Sequence, residues 1–225
     1  MLKKHKRLTK KELKKDPLLI FTAQAVEFLR KEWIKIASTV FSVVFVISVS
    51  LFIVKSKSAS ETKMYDVAIN ALNSNQPEAI DLLVKFADKY SGSSSAEAVL
   101  MKLGNYYFAE KDFESAEKYY LEYTKKYSDN PIYGFNAYCG LGGIYEEQGE
   151  YVKAGEIYES FISKYKNSTF ISLMRLNAGK AYFTAGKKDL AMDNFNNIIN
   201  AYGDSEENQE ALFYIEMIKS ESSGA

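Results

Sequence analysis

Four tyrosines, Tyr90, Tyr127, Tyr165 and Tyr202, recur 37, 38 and 37 residues apart, and no other feature of the chain limits its fold so tightly. Each closes the same phrase. It reads Ala79-x3-Leu83-x2-Phe86-x3-Tyr90, then Ala116-x3-Tyr120-x2-Tyr123-x3-Tyr127, then Ala154-x3-Tyr158-x2-Phe161-x3-Tyr165, then Ala191-x3-Phe195-x2-Ile198-x3-Tyr202. Steps of four, three and four residues set these side chains on one face of an α-helix. A second phrase precedes the last three: Leu103-Gly104-x2-Tyr107, Leu141-Gly142-x2-Tyr145 and Ala178-Gly179-x2-Tyr182. Short turns at Lys111-Asp112, Gly149-Glu150 and Gly186-Lys187-Lys188 separate the two phrases. Two helices per period of 37–38 residues predict an all-α chain built as an α-solenoid.

The packing roles follow from side-chain size. Gly104, Gly142 and Gly179 are expected to let the partner helix come close, and Ala116, Ala154 and Ala191 to do the same from the other side. Tyr107, Tyr145 and Tyr182 fill the space between, and the tyrosines that end each second helix pack toward the next repeat. One repeat cannot bury its apolar face alone, so at least about three must stack. Nearly all of the 17 tyrosines are then core residues before they are a binding surface. Repeats are expected over 94–130, 131–168 and 169–206. A degenerate first helix from Thr62, a second helix over 78–89 and a closing helix over 207–219 complete a solenoid at 62–219, with a frayed tail at 220–225.

Upstream of the repeats the chemistry changes. Residues 36–54 are 19 residues without a charge. At about 1.5 Å per residue a helix of that length just crosses a hydrocarbon core of about 30 Å. The stretch is rich in β-branched residues, but in lipid the backbone must satisfy itself within the segment, which selects helix over strand. Residues 17–35 open with Pro17 and set Leu18, Phe21, Val26, Leu29 and Trp33 among charges, the pattern of an amphipathic juxtamembrane helix lying along a membrane surface. A basic tail at 1–16 precedes it, and 55–61 reads as a polar, serine-rich linker. Ser56, Ser58 and Ala59 resemble a signal-peptidase site, yet the basic lead-in is longer and the apolar run exceeds the usual 7–15 residues, so an uncleaved anchor is expected.

The net charge of zero conceals an asymmetry: residues 1–35 carry +7 and residues 36–225 carry −7. Lys and Arg concentrated before the span predict a single-pass protein with a cytoplasmic N-terminus and an exported repeat domain. No uniformly basic surface for nucleic acid is present. A single cysteine, Cys139, and a single histidine, His5, exclude an internal disulfide and a Cys/His metal site. Phosphate-loop, zinc-protease and nucleophile-elbow motifs are absent from the sequence, so no catalytic residue, metal or cofactor is expected.

The pattern (Leu/Ala)-Gly-x2-Tyr followed by Ala-x3-(Tyr/Phe) resembles the tetratricopeptide repeat (TPR), lengthened by three or four residues. The resemblance covers about 62–219. The longer repeats and the Phe-x3-Tyr ending look like the bacterial envelope branch of that family, and the topology is most similar to the YfgM-type ancillary subunits of the Sec translocon. That resemblance implies a non-enzymatic scaffold anchored in the inner membrane, with its repeats in the periplasm, that binds envelope proteins or translocating polypeptides outside the cytoplasm. It implies the translocon or periplasmic chaperones as partners and a concave groove lined by the first helices. Two other roles fit the same pattern: a structural accessory subunit of a larger membrane complex, and an exported adaptor in outer-membrane assembly or cell division. By periodicity the groove candidates are Asn105, Phe108 and Ala109, then Cys139, Gly143, Glu146 and Glu147, then Lys180, Phe183 and Thr184. Such a groove suits an extended peptide or a partner helix.

Overall fold

A computed structural model describes residues 17–127, 129–203 and 205–223. The basic tail at 1–16, with His5, lies outside them. Among the described residues the fold is all-α: nine helices and no strand. They are α1 (Pro17–Asn73), α2 (Ala79–Lys89), α3 (Ser94–Ala109), α4 (Phe113–Lys126), α5 (Pro131–Glu147), α6 (Tyr151–Lys164), α7 (Ile171–Thr184), α8 (Lys188–Tyr202) and α9 (Glu206–Ser223). The chain divides into two compact units, with the boundary after Thr62.

In the first unit α1 is unbroken. The expected amphipathic helix at 17–35, span at 36–54 and linker at 55–61 are one continuous helix. No glycine or proline follows Pro17 before the boundary, so nothing in 35–36 or 55–61 breaks the backbone ladder. The hydroxyl groups of Ser38, Thr39, Ser42 and Ser50 donate to carbonyls three or four residues back, at 2.8–2.9 Å. Those hydroxyls therefore ask nothing of the surroundings. Large apolar side chains stand exposed along the whole stretch, among them Phe41, Phe45, Phe52 and Trp33. α1 is long and apolar enough to cross a membrane.

In the second unit, residues 63–73 of α1 bury Ala68 and Ala71, and Tyr65 meets the edge of Phe86 with ring centroids 5.6 Å apart. The pairs α3/α4, α5/α6 and α7/α8 are the three repeats, and α9 packs on α8 and α7. The small residues of the first helices face aromatic rings of the second. A Cβ built on Gly104 would stand 2.5 Å from the Tyr120 ring; Gly142 is equally filled by Tyr158, and Gly179 by Phe195. Ala116, Ala154 and Ala191 are fully buried. Tyr145 and Tyr182 are buried, while Tyr107 is half-buried and stacks on Tyr119 at 5.5 Å.

The turns between paired helices repeat atom for atom. The N–H groups of Asp112, Glu150 and Lys187 donate to the carbonyls of Tyr107, Tyr145 and Tyr182 at 2.9, 2.7 and 2.8 Å. This closure of a helix end needs a left-handed residue just before the donor. Gly149 and Gly186 supply it with φ of 76° and 72°, but the first turn uses Lys111 at 61°.

Two of the terminal tyrosines, Tyr127 and Tyr165, differ from expectation. The Tyr127 hydroxyl reaches back and accepts from the N–H of Gly92, in the preceding turn, at 2.9 Å. Tyr165 lies against Gly134 of its own repeat. Lys164 also reaches back, donating to the carbonyls of Thr124 and Tyr127 at 3.0 and 3.4 Å. The ends of α4 and α6 are thus tied down by a predecessor or by their own partner, because that is where carbonyls and turn N–H groups are left without helical partners. The closing helix also extends past 219: α9 runs to Ser223, and Glu221 pairs with Lys188 of α8 at 2.8 Å.

Candidate functional site

The ten candidates read from periodicity fall on α3, α5 and α7, the first helices of the repeats. Contacts join most of them into one surface. The Tyr120 ring sits between Gly104 and Gly140, and its hydroxyl donates to Oδ1 of Asn105 at 2.7 Å. Phe108 is half-buried, packs on Phe113 at 5.7 Å between centroids, and reaches α5 at Gly143. A Cβ added to Gly143 would meet only the far edge of that ring, at 3.4 Å. One turn on, Glu146 accepts a hydrogen bond from the Tyr158 hydroxyl at 3.1 Å.

Toward α7 the surface becomes an ion pair and an aromatic cluster. Lys180 donates to Oε1 of Glu210, on α9, at 2.8 Å. Phe183 meets Tyr214 edge-on at 5.4 Å, and Tyr214 stacks on Phe195 at 5.2 Å. Cys139 is half-buried with Sγ 3.9 Å from Sδ of Met174. Ala109, Glu147 and Thr184 are exposed at the ends of their helices, and the Thr184 hydroxyl donates to the Lys180 carbonyl at 2.9 Å.

Burial controls the electrostatics. It pushes the Glu146 carboxyl above its ordinary range, against the opposing pull of the Tyr158 hydroxyl and the Lys180 charge. The Cys139 thiol is pushed up to about 12, by burial first and the Glu146 charge second. It therefore stays protonated at neutral pH and is a poor nucleophile. Tyr120 rises to about 12, chiefly through burial. Lys180 is held above its usual range by the hydrogen bond to Glu210. Among the described residues no group of His, Cys, Asp or Glu could hold a metal. The arrangement can bind by shape, hydrogen bond and charge; it has no activated nucleophile.

Four residues of this surface escape a reading by periodicity. Tyr120 and Tyr158 look like core, and their rings are core, but each hydroxyl emerges onto the first-helix face. The alternation Tyr120, Tyr158, Phe195 carries a faint trace of this, since the hydroxyl is kept where Asn105 or Glu146 receives it. Glu210 and Tyr214 belong to the closing helix, and nothing local links Glu210 to Lys180 thirty residues earlier.

The tetratricopeptide repeat model matches residues 98–130, 137–168 and 174–205, which are these three helix pairs. The chain carries tetratricopeptide repeats. A TPR protein from Parabacteroides merdae has a similar solved structure, with a TM-score of 0.58 at 15% identity over 72% of this chain. The match covers 61% of that protein's own chain, and at this identity the likeness is one of fold. The TPR-like repeats of a Podosopora anserina chain described as a kinesin light chain are similar at 16% identity, over 73% of this chain and 96% of that one, with a TM-score of 0.46. No curated protein matches the sequence. A TPR stack is typically a non-catalytic scaffold for protein–protein interaction.

Proposed function

We propose that the protein is a membrane-anchored TPR scaffold, held by α1 and binding other proteins through the face of α3, α5 and α7. The observation that supports this reading is the charge-free stretch 36–54 within an exposed apolar helix, carried on the same chain as the repeats. The excess of Lys and Arg ahead of that stretch supports a cytoplasmic N-terminus and repeats on the extracytoplasmic side. In a bacterial envelope this places the repeats in the periplasm, where partners of the translocon or chaperone class are the first to seek.

The test is crosslinking in the native membrane, mild-detergent extraction and identification of the captured proteins by mass spectrometry. The reading expects a chain of full mass that leaves the membrane only with detergent, together with translocon subunits or exported chaperones. Recovery only as a soluble species lacking the first 58 residues or so overturns it.

A second reading, a structural accessory subunit of a larger membrane complex, is favoured by the length of α1. Within the first unit it rises about 70 Å from Pro17 to the boundary after Thr62, against a hydrocarbon core of about 30 Å, and Leu18, Phe28, Leu29 and Trp33 stay exposed outside the charge-free stretch. Copurification with one complex at constant stoichiometry selects this reading over the adaptor.

A further inference from the structure

We propose that the first-helix face takes an extended segment bearing a lysine or arginine, with the cationic head on Glu146 and Glu147 and a neighbouring apolar side chain in the notch at Gly143 against Phe108. The inference rests on the reading that this face binds protein, and it names the chemistry of the partner.

Charge is the first argument. Lys180 brings one ammonium to the side of this surface where Glu146, Glu147 and Glu210 bring three carboxylates, and it is ion-paired with Glu210 at 2.8 Å. Its charge also acts on Glu146, yet one ammonium against three carboxylates leaves the sign at α5 negative. The Glu146 carboxylate is half-buried and receives the Tyr158 hydroxyl on Oε1. A carboxylate has about four lone-pair sites, so one hydrogen bond leaves room for an incoming cation. Ion pairs at such partly desolvated positions are screened less by salt than those on an open surface. The same field repels an acidic segment.

Shape is the second argument. Gly142 and Gly143 are neighbours with opposite duties. A side chain at Gly142 would overlap the Tyr158 ring, so that glycine serves packing. A Cβ at Gly143 would find ordinary contact distance, so the fold does not demand a glycine there. The bare backbone leaves a notch walled by the half-buried Phe108 ring. Gly143 and Glu146 are three residues apart on one helix face, a separation of about 5–6 Å between Cβ positions. Alternate side chains of an extended segment lie about 7 Å apart on one side, given the rise of 3.2–3.4 Å per residue. A cation and an apolar residue at positions i and i+2 therefore fit the pair.

The experiment uses the full-length protein in nonionic detergent micelles and two fluorescein-labelled peptides, Gly-Ser-Lys-Ser-Leu-Ser-Gly and its counterpart with glutamate in place of lysine. Binding is read by fluorescence anisotropy, with and without 0.5 M salt. The lysine peptide is expected to bind at least tenfold more tightly than the glutamate peptide. Glu146→Gln, which preserves the hydrogen bond from Tyr158, should weaken it about tenfold. Gly143→Leu should abolish it, with helical circular dichroism and thermal midpoint retained as the check on folding. Equal binding of the two peptides, or lysine-peptide binding unchanged in Glu146→Gln, overturns the inference. If the glutamate peptide binds better and Gly143→Leu abolishes that binding, the cationic partner is wrong but the binding face stands. If binding is independent of Gly143, or neither peptide binds, both fail.

Discussion

The ring of Tyr120 on α4 occupies the place where a side chain on Gly104 of α3 would be, 2.5 Å from a Cβ built there, and the relationship recurs at Gly142 with Tyr158 and Gly179 with Phe195. Each TPR helix pair is thus held by an aromatic ring laid on bare backbone. This separates two adjacent glycines by experiment. Gly142→Ala should lower unfolding stability by about 1–3 kcal/mol through overpacking. Gly143→Ala should raise it by about 0.5–1 kcal/mol, since alanine is the better helix former and the added methyl has room. Urea unfolding of the two variants side by side checks both signs.

Lys111 holds a left-handed φ of 61° where the equivalent turns use Gly149 and Gly186. That conformation costs an ordinary residue about 1–2 kcal/mol relative to glycine. Lys111→Gly should therefore stabilise the protein by about 1 kcal/mol despite the greater freedom it gives the unfolded chain. Thermal unfolding at fixed detergent concentration reads the shift.

Lys164 ties α6 to the end of α4 through the carbonyls of Thr124 and Tyr127. Its charge lies 5.9 Å above the Tyr138 ring and 5.6 Å from that of Tyr165. Burial holds its pKa below the usual lysine range, with Asp129 opposing. Lys164→Met keeps the apolar stem but removes both hydrogen bonds, and should cost about 1 kcal/mol. In the wild type, the depressed pKa means the unfolded chain binds the proton more readily, so this group's contribution to stability rises with pH through the alkaline range. The variant should lose that component of the slope in denaturation measured from pH 8 to 11.

Glu146 has the opposite linkage. Its pKa is raised in the folded state by burial, so the native chain holds the proton more tightly than the unfolded one. Its contribution to stability is fully present below the ordinary glutamate pKa and is lost as pH rises through the raised value. Glu146→Gln should flatten this part of the acid-side profile. Tyr158→Phe removes a hydrogen bond that lowers the pKa, and should move the titration higher still; carboxyl NMR of the two variants distinguishes the effects.

Val44, exposed at the middle of the charge-free stretch of α1, tests the anchor. An arginine at the centre of a membrane helix carries an insertion penalty of about 2.5–3.5 kcal/mol. Val44→Arg should shift protein from the membrane pellet to aggregated or soluble fractions, while Val67→Arg, in the repeat unit, should not.

Periodicity alone determined the repeat architecture of this protein. Ala116, Tyr120, Tyr123 and Tyr127 recur at steps a helix reads as one face, and the glycine of each first helix follows the same count, so helix pairing was legible without coordinates. The charge-free run at 36–54 was legible for the same reason: it depends on composition along the chain. Helix continuity through 55–61 is not legible in the sequence, because serine-rich polarity suggests a tether whereas no residue there interrupts backbone hydrogen bonding. The direction in which Tyr127 and Lys164 reach, back toward Gly92 and Thr124, depends on where unpaired groups of a neighbouring helix end up in space. The same holds for the candidate face. Periodicity makes Glu146 and Lys180 candidates for it, but only packing could show that Glu210 pairs with Lys180, that Tyr158 supports Glu146, and that Gly143 leaves a notch while Gly142 is filled. Those facts arise between segments tens of residues apart, where local pattern carries no information and close packing decides which side chain takes the space.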